Sequence, residues 1–320
     1  MTKVDLITGF LGSGKTTFIK EYADYLVRRG ENVAIIVNDY GAINVDRLLL
    51  GEALGDKCHL EMVIGGDSDC TRRRLKTKLI SMAMNKYSYV IVEPSGVFDV
   101  DDFLDMLYEE PLERWYEMSN IITLVEADMD KGMSDKARYV MTSEVAKAGT
   151  VVLSKVEPVC QERKIDELSL QNEIVDYLNE GLEMFNSRRR LKDAYLWKSG
   201  KISDDDFKAI AASRYSSGEM TKLPLSEGDF DSYFYFHVEI DFSNIEETIA
   251  RIFNDPNVGN VIRIKGFLQQ DNGEWLEVNA TKNSIRLEPI STGQELFIVI
   301  GENINFEKLG EYWKSYRNGL

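Results

Sequence analysis

The sequence predicts a doubly wound α/β domain built on a mostly parallel sheet, then a helical connector and a small α+β domain. Two observations lead there. The first half alternates short, β-rich apolar runs with helical patterns, which implies parallel strands joined by crossover helices. Beyond about residue 230, a strand and a helix are followed by four closely spaced strand-like runs, the pattern of a small antiparallel sheet. The predicted boundaries are 1–160, 161–227 and 228–320.

Taken in order, Val4-Asp5-Leu6-Ile7 reads as the first strand. Residues 15–29 read as a helix because Phe18, Ile19, Tyr22 and Leu26 recur at helical spacing. The unbroken apolar run 33–37 suits a strand buried on both faces. Further strands are expected at 88–92, 121–125 and 150–153, with helices at 71–86 and 134–146. In the connector, Leu168, Val175, Leu178, Leu182 and Phe185 mark one amphipathic helix. Ser203, followed by Asp204, Asp205 and Asp206, reads as the N-cap of another. The triplet Arg188-Arg189-Arg190 reads as a solvated face. After a linker around 216–224 come a strand at 233–240 and a helix capped by Asn244. Strands at 260–268, 274–279, 284–288 and 296–300 follow, then a last helix near 306–316.

Composition narrows the function. The 320 residues suffice for two cores, and 43% apolar with 29% charged residues excludes a largely disordered chain. A net charge of −16 repels phosphodiester backbones, so a general nucleic-acid binder is not expected. No apolar run approaches the ~20 residues of a spanning helix, so no membrane partner is expected either. The opening residues run straight into a structured motif, so no signal peptide is expected. Three scattered cysteines (Cys58, Cys70 and Cys160) make no disulfide framework. The expectation is a cytoplasmic protein. Two histidines, His59 and His237, are too few for a site built mainly of imidazole.

Residues 9–16, GFLGSGKT, fit the pattern GxxxxGK(S/T) between the first strand and the first helix. Gly9, Gly12 and Gly14 let the backbone wrap phosphate oxygens, and the amides around Ser13 form an anion nest at the helix N-terminus. Lys15 would span the β- and γ-phosphates, and the Thr16 hydroxyl would bind Mg²⁺. This is a nucleoside triphosphate site. Its second Mg²⁺ partner is expected at the end of another strand, where Tyr89-Val90-Ile91-Val92 leads into Glu93 and Pro94-Ser95-Gly96. Gly96 N–H would report the γ-phosphate.

These segments resemble the CobW-like branch of the P-loop GTPases, related to HypB and UreG. GFLGSGKTT at 9–17, which adds Thr17, is similar to that family's first motif. Asn38-Asp39-Tyr40-Gly41 with Asp46 resembles its switch I segment, and Glu93-Pro94-Ser95-Gly96 resembles its ExxG signature. Arg263-Ile264-Lys265-Gly266-Phe267-Leu268 and Glu295-Leu296-Phe297-Ile298-Val299-Ile300-Gly301 are similar to segments of a CobW-type C-terminal domain. The resemblance implies slow GTP hydrolysis with Mg²⁺, coupled to metal delivery into a client metalloprotein, often with nucleotide-dependent homodimerisation. It casts Asp39 as the residue that orients water or senses the γ-phosphate.

Two segments depart from the family. Its GGCxCC metal motif, which binds Zn²⁺ or a similar divalent ion, reads Gly65-Gly66-Asp67-Ser68-Asp69-Cys70 here. Carboxylates suit harder ions than thiolates do. Two readings stand: a mixed site from Asp67, Asp69 and Cys70, or aspartates that cap the following helix. The NKxD guanine motif reads Ser154-Lys155-Val156-Glu157, in which the Lys155 stem can pack on the base and Glu157 can pair with a guanine edge. Three functions remain in play: a GTP-dependent metallochaperone, a nucleotide switch that scaffolds a partner without metal, and a P-loop kinase of a small metabolite. Along 261–265, Arg263 and Lys265 share one face and form a positive strip or a solvated sheet face.

Overall fold

A computed structural model describes residues 1–39, 50–51, 54–64, 68–94, 96, 98–198, 202–226, 228–240, 242–270, 272–291, 293 and 295–316. The chain divides into two compact units, Met1–Met129 with Met133–Leu223 and Asp130–Gly132 with Pro224–Leu320.

The first unit is a seven-stranded, all-parallel sheet in the order β3-β2-β4-β1-β5-β6-β7. The strands are β1 (Thr2–Thr8), β2 (Val33–Asp39), β3 (His59–Ile64), β4 (Tyr89–Glu93), β5 (Tyr116–Glu126), β6 (Thr150–Ser154) and β7 (Tyr195–Leu196). Side chains alternate between the two faces, so each strand feeds two cores. Ile35 and Ile91 meet α1 (Lys15–Arg28) and α7 (Asp204–Ala211) through Phe18, Tyr22, Tyr25, Phe207 and Ile210. Ile36, Val90 and Val92 face the other way, onto α2 (Ser68–Met84) and α3 (Val100–Leu107) through Leu75, Leu79, Met82, Phe103 and Met106. A third cluster joins β6 to α4 (Asp135–Lys147), α5 (Val156–Arg163) and α6 (Glu167–Met184).

One strand is polar at its heart. Asp5 of β1 is wholly buried, accepts the Tyr22 hydroxyl of α1 at 2.6 Å and the Asn120 amide of β5 at 2.8 Å, and has its pKa raised by burial despite both bonds. Asn120 Oδ1 in turn accepts the Arg214 N–H at 2.9 Å. The network ties β1, α1, β5 and the segment after α7 together.

Several expectations shift. The buried stripe of α6 is Leu170, Ile174, Val175, Tyr177, Leu178 and Leu182, whereas Leu168 is 63% exposed; the stripe begins after the N-cap Asp166, which accepts the Ser169 N–H. Ser203 does cap α7, accepting the Asp206 N–H at 3.1 Å. Within the arginine triplet, Arg189 is half-buried and donates to the Val145 and Ala146 carbonyls at 2.6 and 3.0 Å. It caps the C-terminal end of α4 rather than facing water.

The second unit is a six-stranded antiparallel sheet in the order β11-β10-β9-β12-β8-β13. Its strands are β8 (Asp231–Glu239), β9 (Asn260–Gln269), β10 (Trp275–Thr281), β11 (Ser284–Ile290), β12 (Leu296–Glu302) and β13 (Lys314–Tyr316). Helix α8 (Ile245–Asn254) buries Ile245, Ile249 and Ile252 on one face of the sheet. The expected final helix stops early. It spans only Phe306–Gly310 (α9), because Trp313, 4% exposed, is drawn down onto Tyr235 and Phe297 and the chain continues as β13. On β9, Lys265 stands 3.8 Å from Glu277 of β10, which offsets its charge, while Arg263 donates to the neutral Asn279 amide at 3.4 Å.

Candidate phosphate and nucleotide site

Strand β1 lies between β4 and β5, where the strand order reverses, and its C-terminal end is therefore the crevice of a doubly wound sheet. The loop that leaves it turns on three glycines with positive φ: Gly9 at 147°, Gly12 at 86° and Gly14 at 92°. A Cβ on Gly9 would come within 2.4 Å of the Leu124 carbonyl oxygen and 2.5 Å of Ser13 Oγ. No other residue fits there. Ser13 N–H donates to the Phe10 carbonyl at 3.2 Å and closes the turn. Gly14 is the N-cap of α1 and brings no side-chain cap to that helix's first amides. Thr17 is exposed on the first turn.

Lys15 is 8% exposed and folds back, its ammonium donating to the Gly9 carbonyl at 2.6 Å. Thr16 Oγ1 donates to Glu93 Oε1 at 3.1 Å, joining the loop to the end of β4 across 77 residues of sequence. Glu93 is itself 4% exposed. Gly96 packs against the loop from the same side, where a Cβ would lie 2.2 Å from Leu11 Cδ2. On the opposite side, Ser154 Oγ donates to the Ser13 carbonyl at 2.8 Å. Lys155, left-handed at φ 58°, caps α5 and forms an ion pair with Glu126, while Glu157 lies in the first turn of α5. The structure thus gathers Gly9, Gly12, Ser13, Gly14, Lys15, Thr16, Glu93, Gly96 and the segment 154–157 around one crevice.

Two members of the crevice carry no signal in the sequence pattern. Trp197 follows β7, and its N–H donates to the Leu153 carbonyl at 2.9 Å, so it lines up beside Ser154. Its ring would lie 3.6 Å from a Cβ on Gly14, and it meets Phe18 edge-on at 5.8 Å. The other is Glu144 of α4. It is wholly buried. Burial pushes its pKa up to about 8, against the pull of the Lys15 ammonium and the Gly9 N–H.

That shift has a consequence for stability. With a folded pKa of about 8 against an ordinary 4.5, folded Glu144 keeps a proton that the unfolded chain has released. The stability this confers is complete below pH 4.5 and is lost as pH rises through about 8, on the order of a few kcal/mol. Glu144→Gln should remove the effect, so urea melts at pH 5 and pH 8 should converge for the variant and separate for the native chain. Parallel curves would mean the carboxyl does not retain its proton.

The other expected metal residues lie largely outside the described part. Asp67 does, as do the side chains of Asp39, which ends β2, and of Asp69, in the first turn of α2. Cys70 is half-buried in that same turn. Among the described residues no group of three or more His, Cys, Asp or Glu side chains is placed to hold a metal ion. Nor is any helix among them long and apolar enough to cross a membrane. The Cys58 thiol, 8% exposed, is pushed up to about 11 by burial and is chemically quiet.

A glycine-built loop between the central strand and its helix, with a buried lysine and a facing carboxylate, defines a P-loop nucleotide-binding fold. The chain belongs to the CobW/HypB/UreG nucleotide-binding domain family, whose model matches residues 3–185. Among curated proteins it is similar to the zinc chaperones YjiA and YeiR of Escherichia coli (strain K12). The first is 26% identical over 173 residues, 51% of this chain and 52% of the relative. The second is 27% identical over 158 residues, 48% and 47% of the two chains. The matches span about half the length of these two relatives. Zinc-regulated GTPase metalloprotein activator 1 of Schizosaccharomyces pombe is 20% identical across 94% of this chain and 82% of its own. Among solved structures, the Zn(II)-bound YjiA GTPase from E. coli aligns over 97% of both chains, with 18% identity and a TM-score of 0.41.

Proposed function

We propose that this chain binds GTP together with Mg²⁺, hydrolyses it slowly, and serves as a metallochaperone or a factor that inserts metal into a client protein. The observation that carries the nucleotide part is the cradle of Gly9, Gly12 and Gly14 ending in buried Lys15. Ser13 Oγ is buried with no hydrogen-bond partner among the described residues, and the N-terminus of α1 is not capped by a side chain. Both suit phosphate oxygens. Thr16 and Glu93 supply hard oxygens 3.1 Å apart, a donor set that fits Mg²⁺. A magnesium ion held there would neutralise charge developing on the β- and γ-phosphates.

The residues of the chain do the rest. Lys15 brings one positive charge to the bridging region, and the loop amides hold the phosphate oxygens in place. Asp39 orients the attacking water or senses the γ-phosphate. Gly96, packed on Leu11, lets a change at the γ-phosphate reach the segment after β4. The Lys155 stem and Glu157 receive the base. Ser154 has its hydroxyl committed to the Ser13 carbonyl, so it braces the loop. Turnover of about 10⁻⁴ to 10⁻² per second is expected without an activating partner.

Relatives named as zinc chaperones and as a zinc-regulated GTPase metalloprotein activator support the metal part of the reading. A second reading, a nucleotide switch that scaffolds a partner without metal, is favoured by one observation: Cys70 is the single cysteine in the segment 65–70. Calorimetric titration with GTP and ATP analogues, with and without Zn²⁺, Mn²⁺ and Co²⁺, separates the two. GTP should bind more tightly than ATP, and one divalent ion should bind more tightly when nucleotide is present. Cys70→Ser or Asp67→Ala should then abolish that ion's sub-micromolar binding. Indifference to every ion supports the switch, and acceptor-dependent ATP consumption would overturn both in favour of a kinase.

A further inference from the structure

A wholly buried carboxyl with no hydrogen-bond partner is costly unless something compensates. Glu144 is wholly buried, and the phosphate loop supplies what compensates it, the Lys15 ammonium and a hydrogen bond from the Gly9 N–H. Its main-chain carbonyl accepts the Thr123 hydroxyl of β5 at 3.1 Å, and that hydroxyl meets the Thr8 hydroxyl at 2.7 Å. Thr8 is the last residue of β1, immediately before Gly9. The backbone of α4 at this point is therefore tied to the start of the loop. The groups that bear electrostatically on the Glu144 side chain are the Lys15 ammonium and the Gly9 N–H. Gly9 also holds Lys15 through its carbonyl.

We propose that Glu144 is a positioning residue for the phosphate loop: lying behind Gly9 and Lys15, it sets how far the lysine ammonium reaches toward the phosphates. The proposal rests on the reading of this loop as a triphosphate cradle. In its neutral form the carboxyl supports the loop and leaves the whole lysine charge to the phosphates. As a carboxylate it competes for that charge and repels the anionic ligand through a region of low dielectric. Nucleotide binding thus favours the protonated form.

Its size follows from the titration. If triphosphate binds only the protonated form, whose pKa is about 8, raising the pH from 7 to 9 weakens binding up to about tenfold. The dissociation constant for GTP with excess Mg²⁺ should be measured at pH 7, 8 and 9 for the native chain, Glu144→Gln, Glu144→Ala and Lys15→Ala. The native chain should weaken with pH. Glu144→Gln, which keeps the shape and removes the charge, should hold within about threefold of the native value at pH 7 and show no slope. Glu144→Ala, lacking support behind the loop, should bind about tenfold more weakly at pH 7, also without slope. Identical constants and slopes in the native chain and both Glu144 variants would overturn the proposal. So would a Glu144→Ala effect confined to the melting temperature, which is what a purely packing role predicts. If Lys15→Ala loses binding while the Glu144 variants match the native chain, this inference alone fails. If the native chain binds no purine triphosphate, the cradle reading fails and takes the inference with it.

Discussion

Replacing Lys15 with alanine should weaken GTP binding by a factor of about 100 or more and abolish detectable hydrolysis, while leaving the melting temperature close to native. Charge-assisted hydrogen bonds each contribute about 1.5–3 kcal/mol, and under the proposed function the ammonium would make two of them, one to each of the terminal phosphates. Two such bonds amount to a loss of at least about 3 kcal/mol, which is more than two orders of magnitude in affinity. The same ammonium donates to the Gly9 carbonyl, a contact water can take over once the side chain is gone. The variant therefore separates ligand recognition from folding. Calorimetry with GTP and Mg²⁺ gives the affinity and a thermal melt gives the control. Equal heats for native and variant chains would remove the phosphate site from the account.

The largest effect on folding is expected at Asp5. Asp5→Ala should cost about 3–5 kcal/mol, because it strips the acceptor from two buried donors, the Tyr22 hydroxyl and the Asn120 amide. Asn120 then loses the partner that orients it toward the Arg214 N–H, so the loss spreads to the chain after α7. Tyr22 lies on α1, the helix that Lys15 begins, and a loosened α1 would also carry the phosphate loop with it. Asp5→Asn keeps an acceptor for one donor and should cost less, about 1–2 kcal/mol. Urea unfolding of both variants measures the difference. A loss below about 1 kcal/mol for the alanine variant would show that the network is not what holds β1 to its neighbours.

The parts of this molecule that could be read from sequence are those whose cause is local. The glycine spacing at 9–14 requires a tight, positively twisted loop, and that loop is present, with all three φ values positive. The run 89–92 leading into Glu93 is legible because a two-sided strand has few alternatives, and the structure brings its terminal carboxylate to Thr16. Strand β3, with exposed His59 and partly exposed Leu60, Glu61 and Met62 among its six residues, lacks the apolar run that betrays a strand. Strand β7 is two residues long, too short for any periodicity, and it places Trp197. Glu144 reads as an ordinary helical glutamate, with Lys147 close behind, until the fold turns it inward beneath Gly9. Trp313 hides in the same way: nothing between 306 and 316 announces that an aromatic ring will end the helix by docking on Tyr235 and Phe297. In each case the missing information is tertiary.

The place of β1 in the strand order has an evolutionary consequence. Two separate sets of loops flank the central phosphate loop. Strands β4, β2 and β3 lie on one flank of β1, and β5, β6 and β7 lie on the other. Under the proposed function, substitutions at Glu93 and Gly96 on the first flank act on the phosphate end of the ligand. Under the same reading, substitutions at 154–157 and Trp197 on the second act on the base. Such a layout lets substitutions on the two flanks be selected separately, with the six-residue turn from Gly9 to Gly14 shared between them.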